Sequence, residues 1–196
     1  IRRQAKDIPV IQLVEGNDSE AITEAMLFGA QDALPQGEDE RLVLVAKREL
    51  ASLEERRARR AAEVALRLED MIAATPALHG AQVSELLRLV PGQRALFSGR
   101  FKGKLAVFRL FLLDDAAKVA RKEWKELTRA HAVLGKGVNR VPEPLAWADD
   151  LPFYVMGFAR GRLLMRHIAR QAKPDQVPLI ARAGEWFAAY TAPTVE

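Results

Sequence analysis

One arginine lies inside the most apolar stretch of the sequence. Arg109 interrupts the run "LAVFRLF" over 105–111, which otherwise has the composition of a β-strand. A guanidinium stays charged at physiological pH, and its planar fork can hold a phosphate or a carboxylate through two parallel hydrogen bonds. Two interpretations follow: Arg109 binds an anion, or it lies on the half-exposed outer face of an ordinary strand.

Glycine and proline divide the stretch before Arg109 into two short strands and a turn. "SELLRLV" ends at Pro91 and Gly92, and "RALFSGRF" occupies 94–101. "KGK" over 102–104 places a glycine at the centre of a polar turn, a pattern that joins antiparallel strands. Arg109 is therefore expected on the second strand of a hairpin.

A helix, two strands and a second helix are expected after Arg109. The segment 114–137 predicts a helix that is capped by one of its two leading aspartates and ends at Gly135. "VPEPLAWADD" over 141–150 and "PFYVMGFARGRLL" over 152–164 predict strands. "LIARAGEWFAAYTAP" over 179–193 predicts the final helix. The expected fold class is α+β, with an antiparallel sheet and a packed helix.

The first eighty residues have a mainly helical character. "IPVIQLVEG" over 8–16 predicts a short strand, and Asp18 or Ser19 suits the N-cap of the helix that follows. "PQGEDE" over 35–40 is a break, after which neither Gly nor Pro occurs over 39–74. Glu and Arg spaced by three and four residues indicate one long solvated helix or a helical hairpin.

Charge is distributed unevenly along the chain. Residues 1–80 carry 11 Lys and Arg against 15 Asp and Glu, whereas residues 81–196 carry 19 against 11. Between them, "TPALHGAQ" over 75–82 contains Pro76 and Gly80. We therefore predict two domains, over 1–80 and 81–196, of which the basic second one suits phosphates, nucleic acid or acidic lipid.

Five stretches of the second part occur in a characteristic order. They are "ELLRLVPGQRALFSGRF", "LAVFRLF", "ARKEWKELTRAHAVLG", "VPEPLAW" and "FYVMGFARGRLL". In this order they resemble the small lobe of the aminoglycoside and choline phosphotransferases, a branch of the protein-kinase-like superfamily. The resemblance extends over residues 85–192. It implies a nucleotide-binding lobe with a small hydroxyl-bearing molecule as the phosphoryl acceptor.

The resemblance implies a role for Arg109 and a partner for it. Arg109 matches the basic residue of the third strand, which holds the phosphates of the nucleotide. Glu123 matches the helix carboxylate that orients this cation, and Glu126, one turn further on, is the alternative partner. Lysine is the residue that protein kinases have at the position of Arg109.

Two further segments match the nucleotide-binding elements of the family. Gly92 and Gln93 fall in the loop that covers the phosphates, although this loop is poor in glycine and a plain turn is the alternative. Met156 and Phe158 fall in the hinge segment, whose backbone would pair with the edge of the adenine. The acidic residue that usually follows the methionine is replaced by Gly157.

The resemblance also implies ATP or GTP with Mg²⁺ as the cofactor, but the residues of the chemical step are missing. In the family, a His-Gly-Asp motif and a metal-binding Asp follow the helix that "LIARAGEWFAAYTA" matches. None of His79, His131 and His167 is followed by Gly-Asp. No catalytic base and no Mg²⁺ ligand can therefore be assigned, and this chain alone is not expected to transfer a phosphoryl group.

A second, shorter similarity lies in "VIQLVEGNDSEAITEAMLFGAQDAL", over 10–34. The matching residues are Val14–Glu15, Glu24–Leu27 and Phe28–Gly29. They resemble a short strand-and-helix segment of bacterial polynucleotide phosphorylase. No phosphorolytic residue can be placed on this segment, and an unrelated amphipathic strand and helix is the alternative.

Two other classes of function stay open. The helical region 39–74 suits a non-catalytic assembly module that binds a protein partner, and the basic second part suits an RNA-associated protein. The sequence contains no cysteine, which excludes disulfides and is compatible with the cytoplasm. No apolar run reaches the roughly 20 residues of a transmembrane helix. We expect a cytoplasmic protein without a membrane span.

Overall fold

A computed structural model of the chain describes residues 8–16, 18–134, 140–159 and 173–191. The chain divides into two compact units, Ile1–Leu66 and Arg67–Glu196. The boundary between the units falls within a long helix rather than at residue 80. The two domains expected from the sequence stay a prediction, since compactness alone does not define a domain.

The described residues form both strands and helices, as the α+β class requires. The strands are β1 (Ile11–Val14), β2 (Asp32–Pro35), β3 (Ala81–Val90), β4 (Arg94–Phe101), β5 (Lys104–Phe111), β6 (Pro144–Ala146) and β7 (Phe153–Gly157). The helices are α1 (Ser19–Leu27), α2 (Asp39–Ala73), α3 (Ala116–Leu134) and α4 (Lys173–Thr191), with a short 3₁₀ helix at Pro76–Leu78. The fold class, an antiparallel sheet with a packed helix and a helical N-terminal segment, is confirmed.

The first unit contains a small β-α-β arrangement. β1 and β2 pair in parallel, with Leu13 opposite Leu34, and α1 forms the connection between them. The Asp18 carboxylate accepts a hydrogen bond from the Glu20 N–H at 2.9 Å, which confirms Asp18 as the N-cap of α1. The core of this arrangement consists of small and β-branched residues: Val14, Ala25, Ala30 and Ala33.

The helix α2 is continuous over 35 residues. A single helix rather than a helical hairpin is therefore present. Its exposed sides carry ion pairs at helical spacing, such as Arg59 with Glu63 at 3.1 Å, each of which stabilises the helix by a few tenths of a kcal/mol. None of the helices that the structure describes is both long enough and apolar enough to cross a membrane.

The second unit is built on a five-stranded antiparallel sheet with the order β3-β4-β5-β7-β6. The predicted hairpin is confirmed by the pairing of β4 with β5. Lys102 and Gly103 both have positive φ, 48° and 81°, as a two-residue hairpin turn requires. β5 is flanked by β4 and β7, so Arg109 lies on an interior strand of this sheet.

The two faces of β5 differ in character. Ala106, Phe108 and Leu110 point to one face and are all 0% exposed. Arg109 and Phe111 alternate with them and point to the other face. Phe111 packs there with Ala120 of α3, so Arg109 lies on the face of the sheet that carries α3.

Several predicted elements are shorter or longer in the structure. The strand expected over 141–150 is reduced to β6, and the strand expected over 152–164 ends at Gly157. Residues 160–164 and Gly135, the expected end of the third helix, lie outside the described residues. The final helix begins six residues earlier than expected, at Lys173 rather than at residue 179.

Gly99 allows β3 and β4 to approach each other closely. It pairs with Val83 of β3, and a Cβ atom placed on Gly99 would collide with the backbone oxygen of Gln82. The same Cβ atom would lie 2.7 Å from Cε2 of Phe108 in the buried face. A side chain at this position therefore requires the backbone itself to move.

We expect Gly99→Ala to lower the free energy of unfolding by about 2–3 kcal/mol, because neither Gln82 nor Phe108 can give way without strain. The measurement is urea unfolding. Gly184→Ala in α4 is the control, since no neighbouring atom lies within 4 Å of its added Cβ and alanine favours a helix by about 1 kcal/mol. Equal effects of the two substitutions would contradict the packing argument.

Candidate functional site

Arg109 forms an ion pair with Glu123 of α3. Its Nη2 lies 2.8 Å from Oε2 and 3.0 Å from Oε1 of the carboxylate. The side chains are 24% and 36% exposed, so the pair is partly shielded from water. Partial burial makes such a pair stronger than one on an open surface. The structure thus brings together the two residues that the resemblance had matched.

Glu126, the alternative partner, contacts a different arginine. Arg129 donates to its two carboxylate oxygens at 2.6 and 3.1 Å and also donates to the backbone oxygen of Tyr190 in α4 at 3.2 Å. The Arg129 hydrogen bonds, with a further one from Tyr190, lower the pKa of the Glu126 carboxyl. Glu126 therefore helps to link α3 to α4 through Arg129. Of the two candidate glutamates, Glu123 is the one that faces the sheet.

Tyr154 supplies a second partner for Glu123. It lies directly opposite Arg109 in the pairing of β5 with β7, and its hydroxyl donates to Oε2 of Glu123 at 3.2 Å. The ring is only 3% exposed and is held between Phe111 and Trp124, whose ring centroids lie at 6.1 and 5.9 Å. Burial, which the Arg109 charge opposes and the Glu123 charge reinforces, raises the pKa of the phenol well above its usual value.

The Arg109 guanidinium is only partly used by its ion pair. Nη2 contacts Glu123, and Nε is buried without a hydrogen-bond partner among the described residues, but part of the side chain remains exposed. The guanidinium carbon lies 5.5 Å from the centre of the Phe111 ring, a cation–π contact. A guanidinium that is held in place and partly exposed is chemically suited to bind an anion such as a phosphate.

Gly92 and Gln93 lie in a tight turn between β3 and β4. Gly92 has a φ of +67°, and the Gln93 N–H donates to the Val90 carbonyl at 3.0 Å. The Gln93 carbonyl accepts from the Leu112 N–H at 2.8 Å, just beyond the end of β5. The Gln93 amide is therefore used within the turn, as the plain-turn alternative requires, and the turn lies at the same end of the sheet as Leu112.

Met156 and Phe158 lie towards the opposite end of β5. Met156 is opposite Val107 and packs with the residues beneath α3. The Phe158 N–H donates to the Leu105 carbonyl at 3.1 Å, so this amide is not available to a base, whereas the Phe158 side chain is exposed. The six predicted site residues thus belong to one unit, but only Arg109 and Glu123 contact each other.

A cavity of about 760 Å³ lies beside Phe158. Leu105, Glu143, Phe158 and Ala159 are among the residues that line it. Leu105 is four residues from Arg109 on β5 and points to the same face, so their Cα atoms are roughly 13 Å apart at about 3.3 Å per residue. Leu105 therefore connects this cavity to the Arg109 side of the sheet.

The two histidines that the structure describes line two different cavities of the second unit. His131 lines the cavity beside Phe158, and its Nδ1 is buried without a partner. His79 lines a smaller cavity of about 440 Å³ next to the 3₁₀ helix, and His167 lies outside the described residues. Within the described ranges, no group of three or more His, Asp and Glu side chains could hold a metal ion.

Comparison with known proteins adds no family: no protein-family model matches the chain, and no curated protein matches it. The site therefore has to be understood from its own geometry. Sequence reasoning identified Arg109 and Glu123 but missed Tyr154, because its contact depends on the register between β5 and β7. A tyrosine inside a predicted apolar strand was the only available signal.

We expect Glu123→Gln to lower the free energy of unfolding by about 1 kcal/mol, because it leaves the partly buried Arg109 cation with a neutral partner. Glu143→Gln is the control. The side chains of its ion pair, Lys104 and Glu143, are 61% and 48% exposed, so the pair contributes little to the free energy of unfolding. Urea unfolding of both variants measures the difference. An equal loss in the two variants would show that the Arg109–Glu123 pair is an ordinary surface pair.

The contribution of Tyr154 to stability is expected to fall at high pH. Because its pKa is raised in the folded state, the unfolded chain loses the phenolic proton first, above the ordinary value of about 10. The stability margin of the wild type over Tyr154→Phe should be constant below pH ~10 and shrink by about 1.4 kcal/mol per pH unit above it. Urea unfolding from pH 8 to 11 measures this margin, and a constant margin would contradict the expectation.

Proposed function

We propose that the second unit is the nucleotide-binding lobe of a kinase-like phosphotransferase, as the sequence resemblance implies. The observation that carries this proposal is the Arg109–Glu123 ion pair between β5 and α3. A cation on an interior strand, oriented by a helix carboxylate and still partly exposed, suits the phosphates of a nucleotide. The order of strands in the sheet and the position of α3 agree with the proposal.

The arrangement along β5 supports a definite orientation of ATP or GTP. The cavity beside Phe158 receives the base at the Leu105 end of the strand. Arg109, roughly 13 Å further along the same face, receives the phosphates. The turn at Gly92 lies beyond it, next to Leu112, where its backbone can cover the terminal phosphates.

The proposed role of this unit is binding rather than chemistry. The exposed part of the Arg109 guanidinium donates to phosphate oxygens, while Glu123 prevents the cation from turning away. Mg²⁺ would neutralise further phosphate charge in the manner of the family, and no residue of this chain is assigned to it. The acceptor is a small hydroxyl-bearing molecule, and the proposed location is the cytoplasm.

A second candidate function is a non-catalytic assembly module. Four large apolar side chains of α2 are exposed to solvent: Val43, Leu44, Leu50 and Leu66. Exposed apolar side chains on one long helix favour a protein partner at the 39–74 region. In this alternative, the Arg109–Glu123 pair serves only to hold α3 on the sheet.

We expect the full-length protein to bind MgATP and Arg109→Ala to weaken this binding by at least tenfold, because the charged contact to phosphate is lost. Isothermal titration and nucleotide-dependent thermal shift measure the effect. Arg121→Ala is the control, because Arg121 is also an arginine of the second unit with carboxylate partners, Asp149 and Asp150, but is not matched to a phosphate contact.

Two results would count against the proposal. A folded full-length protein that gives no thermal shift with MgATP is not a nucleotide-binding protein, and the assembly module becomes the better interpretation. Unchanged affinity in Arg109→Ala would instead assign Arg109 to a structural role and place the phosphates elsewhere.

A further inference from the structure

Tyr154 has a contact that the proposed function does not use. Its hydroxyl reaches the same carboxylate, that of Glu123, which holds Arg109. The three side chains come from three elements, β5, β7 and α3, and meet at one point. A glutamate has several rotatable bonds, and one nitrogen that contacts both of its carboxylate oxygens still lets the carboxylate pivot about that nitrogen. The second hydrogen bond removes this freedom.

We propose that Tyr154 is a positioning residue that fixes the Glu123 carboxylate and thereby directs the exposed part of the Arg109 guanidinium towards a phosphate. This inference rests on the proposed function and names a residue that sets the affinity of the site. Tyr154 acts through Glu123 and Arg109, and it does not contact the nucleotide itself. Its effect is therefore specific for ligands that carry phosphate.

The surroundings of Tyr154 suit this role. Cross-strand pairing places it directly beside Arg109, and the rings of Phe111 and Trp124 prevent its own ring from swinging away. Burial keeps the phenol protonated over the physiological range, so the hydroxyl remains a donor to the carboxylate. A charged donor would compete with Arg109 for Glu123, whereas a neutral hydroxyl leaves the ion pair intact.

The experiment compares Tyr154→Phe with the matched variant Tyr190→Phe in the full-length protein. These are the two tyrosines of the chain, and the hydroxyl of each bonds a glutamate of α3, Glu123 or Glu126. Isothermal titration with MgATP, with tripolyphosphate and with adenosine separates the phosphate contact from the contact with the base. Thermal unfolding of each variant checks that it is folded.

We expect Tyr154→Phe to weaken MgATP and tripolyphosphate about tenfold and adenosine less than twofold, since only the phosphates depend on Arg109. Tyr190→Phe should leave all three affinities within twofold of the wild type. If Tyr154→Phe does not fold, 4-aminophenylalanine and 4-methylphenylalanine at this position replace it. Both fill the space of the hydroxyl, but only the first can donate a hydrogen bond, so only the first should keep the wild-type affinity.

The outcomes separate this inference from the proposed function. If Arg109→Ala weakens MgATP but Tyr154→Phe does not, Tyr154 is merely structural and the nucleotide-binding function stands. Equal weakening of adenosine and MgATP by Tyr154→Phe would also overturn the inference, because a packing defect affects every ligand. If the wild type binds neither MgATP nor tripolyphosphate, both proposals are overturned.

Discussion

The second unit depends on one constraint, which is that a guanidinium on an interior strand needs a carboxylate within reach. Glu123 meets this need and also accepts the Tyr154 hydroxyl, so a single side chain of α3 is fixed to β5 and to β7. The contact fixes the rotation of α3 about its own axis. Glu126, three residues later, then turns away from the sheet towards Arg129 and α4.

The difference between the two faces of the sheet follows from the same constraint. On one face of β5, Ala106, Phe108 and Leu110 are fully buried, whereas the other face carries Arg109 among apolar residues. Packing on the first face stabilises the strands regardless of any ligand. The second face keeps a partly exposed cation and a nearby cavity, beside the buried cluster that packs α3 on the sheet.

Much of this fold could be predicted from local chemistry. Pro91, Gly92 and Gly103 mark the turns of the sheet, and the absence of Gly and Pro from 39–73 marks the long helix. β2 was missed because its four residues have no alternating pattern, and they form a strand only by pairing with β1. Tyr154 was missed for a similar reason: strand register arises from tertiary pairing, which no local pattern specifies.

The aromatic side chains around Tyr154 have an optical consequence. Trp124 and Trp147 stack with their ring centroids 6.2 Å apart and their planes inclined by 28°, and Trp124 also contacts Tyr154. Indole rings that are held in one fixed, asymmetric packing give near-ultraviolet circular dichroism, which is lost when this packing is lost. Trp124 belongs to α3, and Trp147 directly follows β6. The signal of these two tryptophans therefore reports whether α3 is packed on the sheet, and no label has to be added.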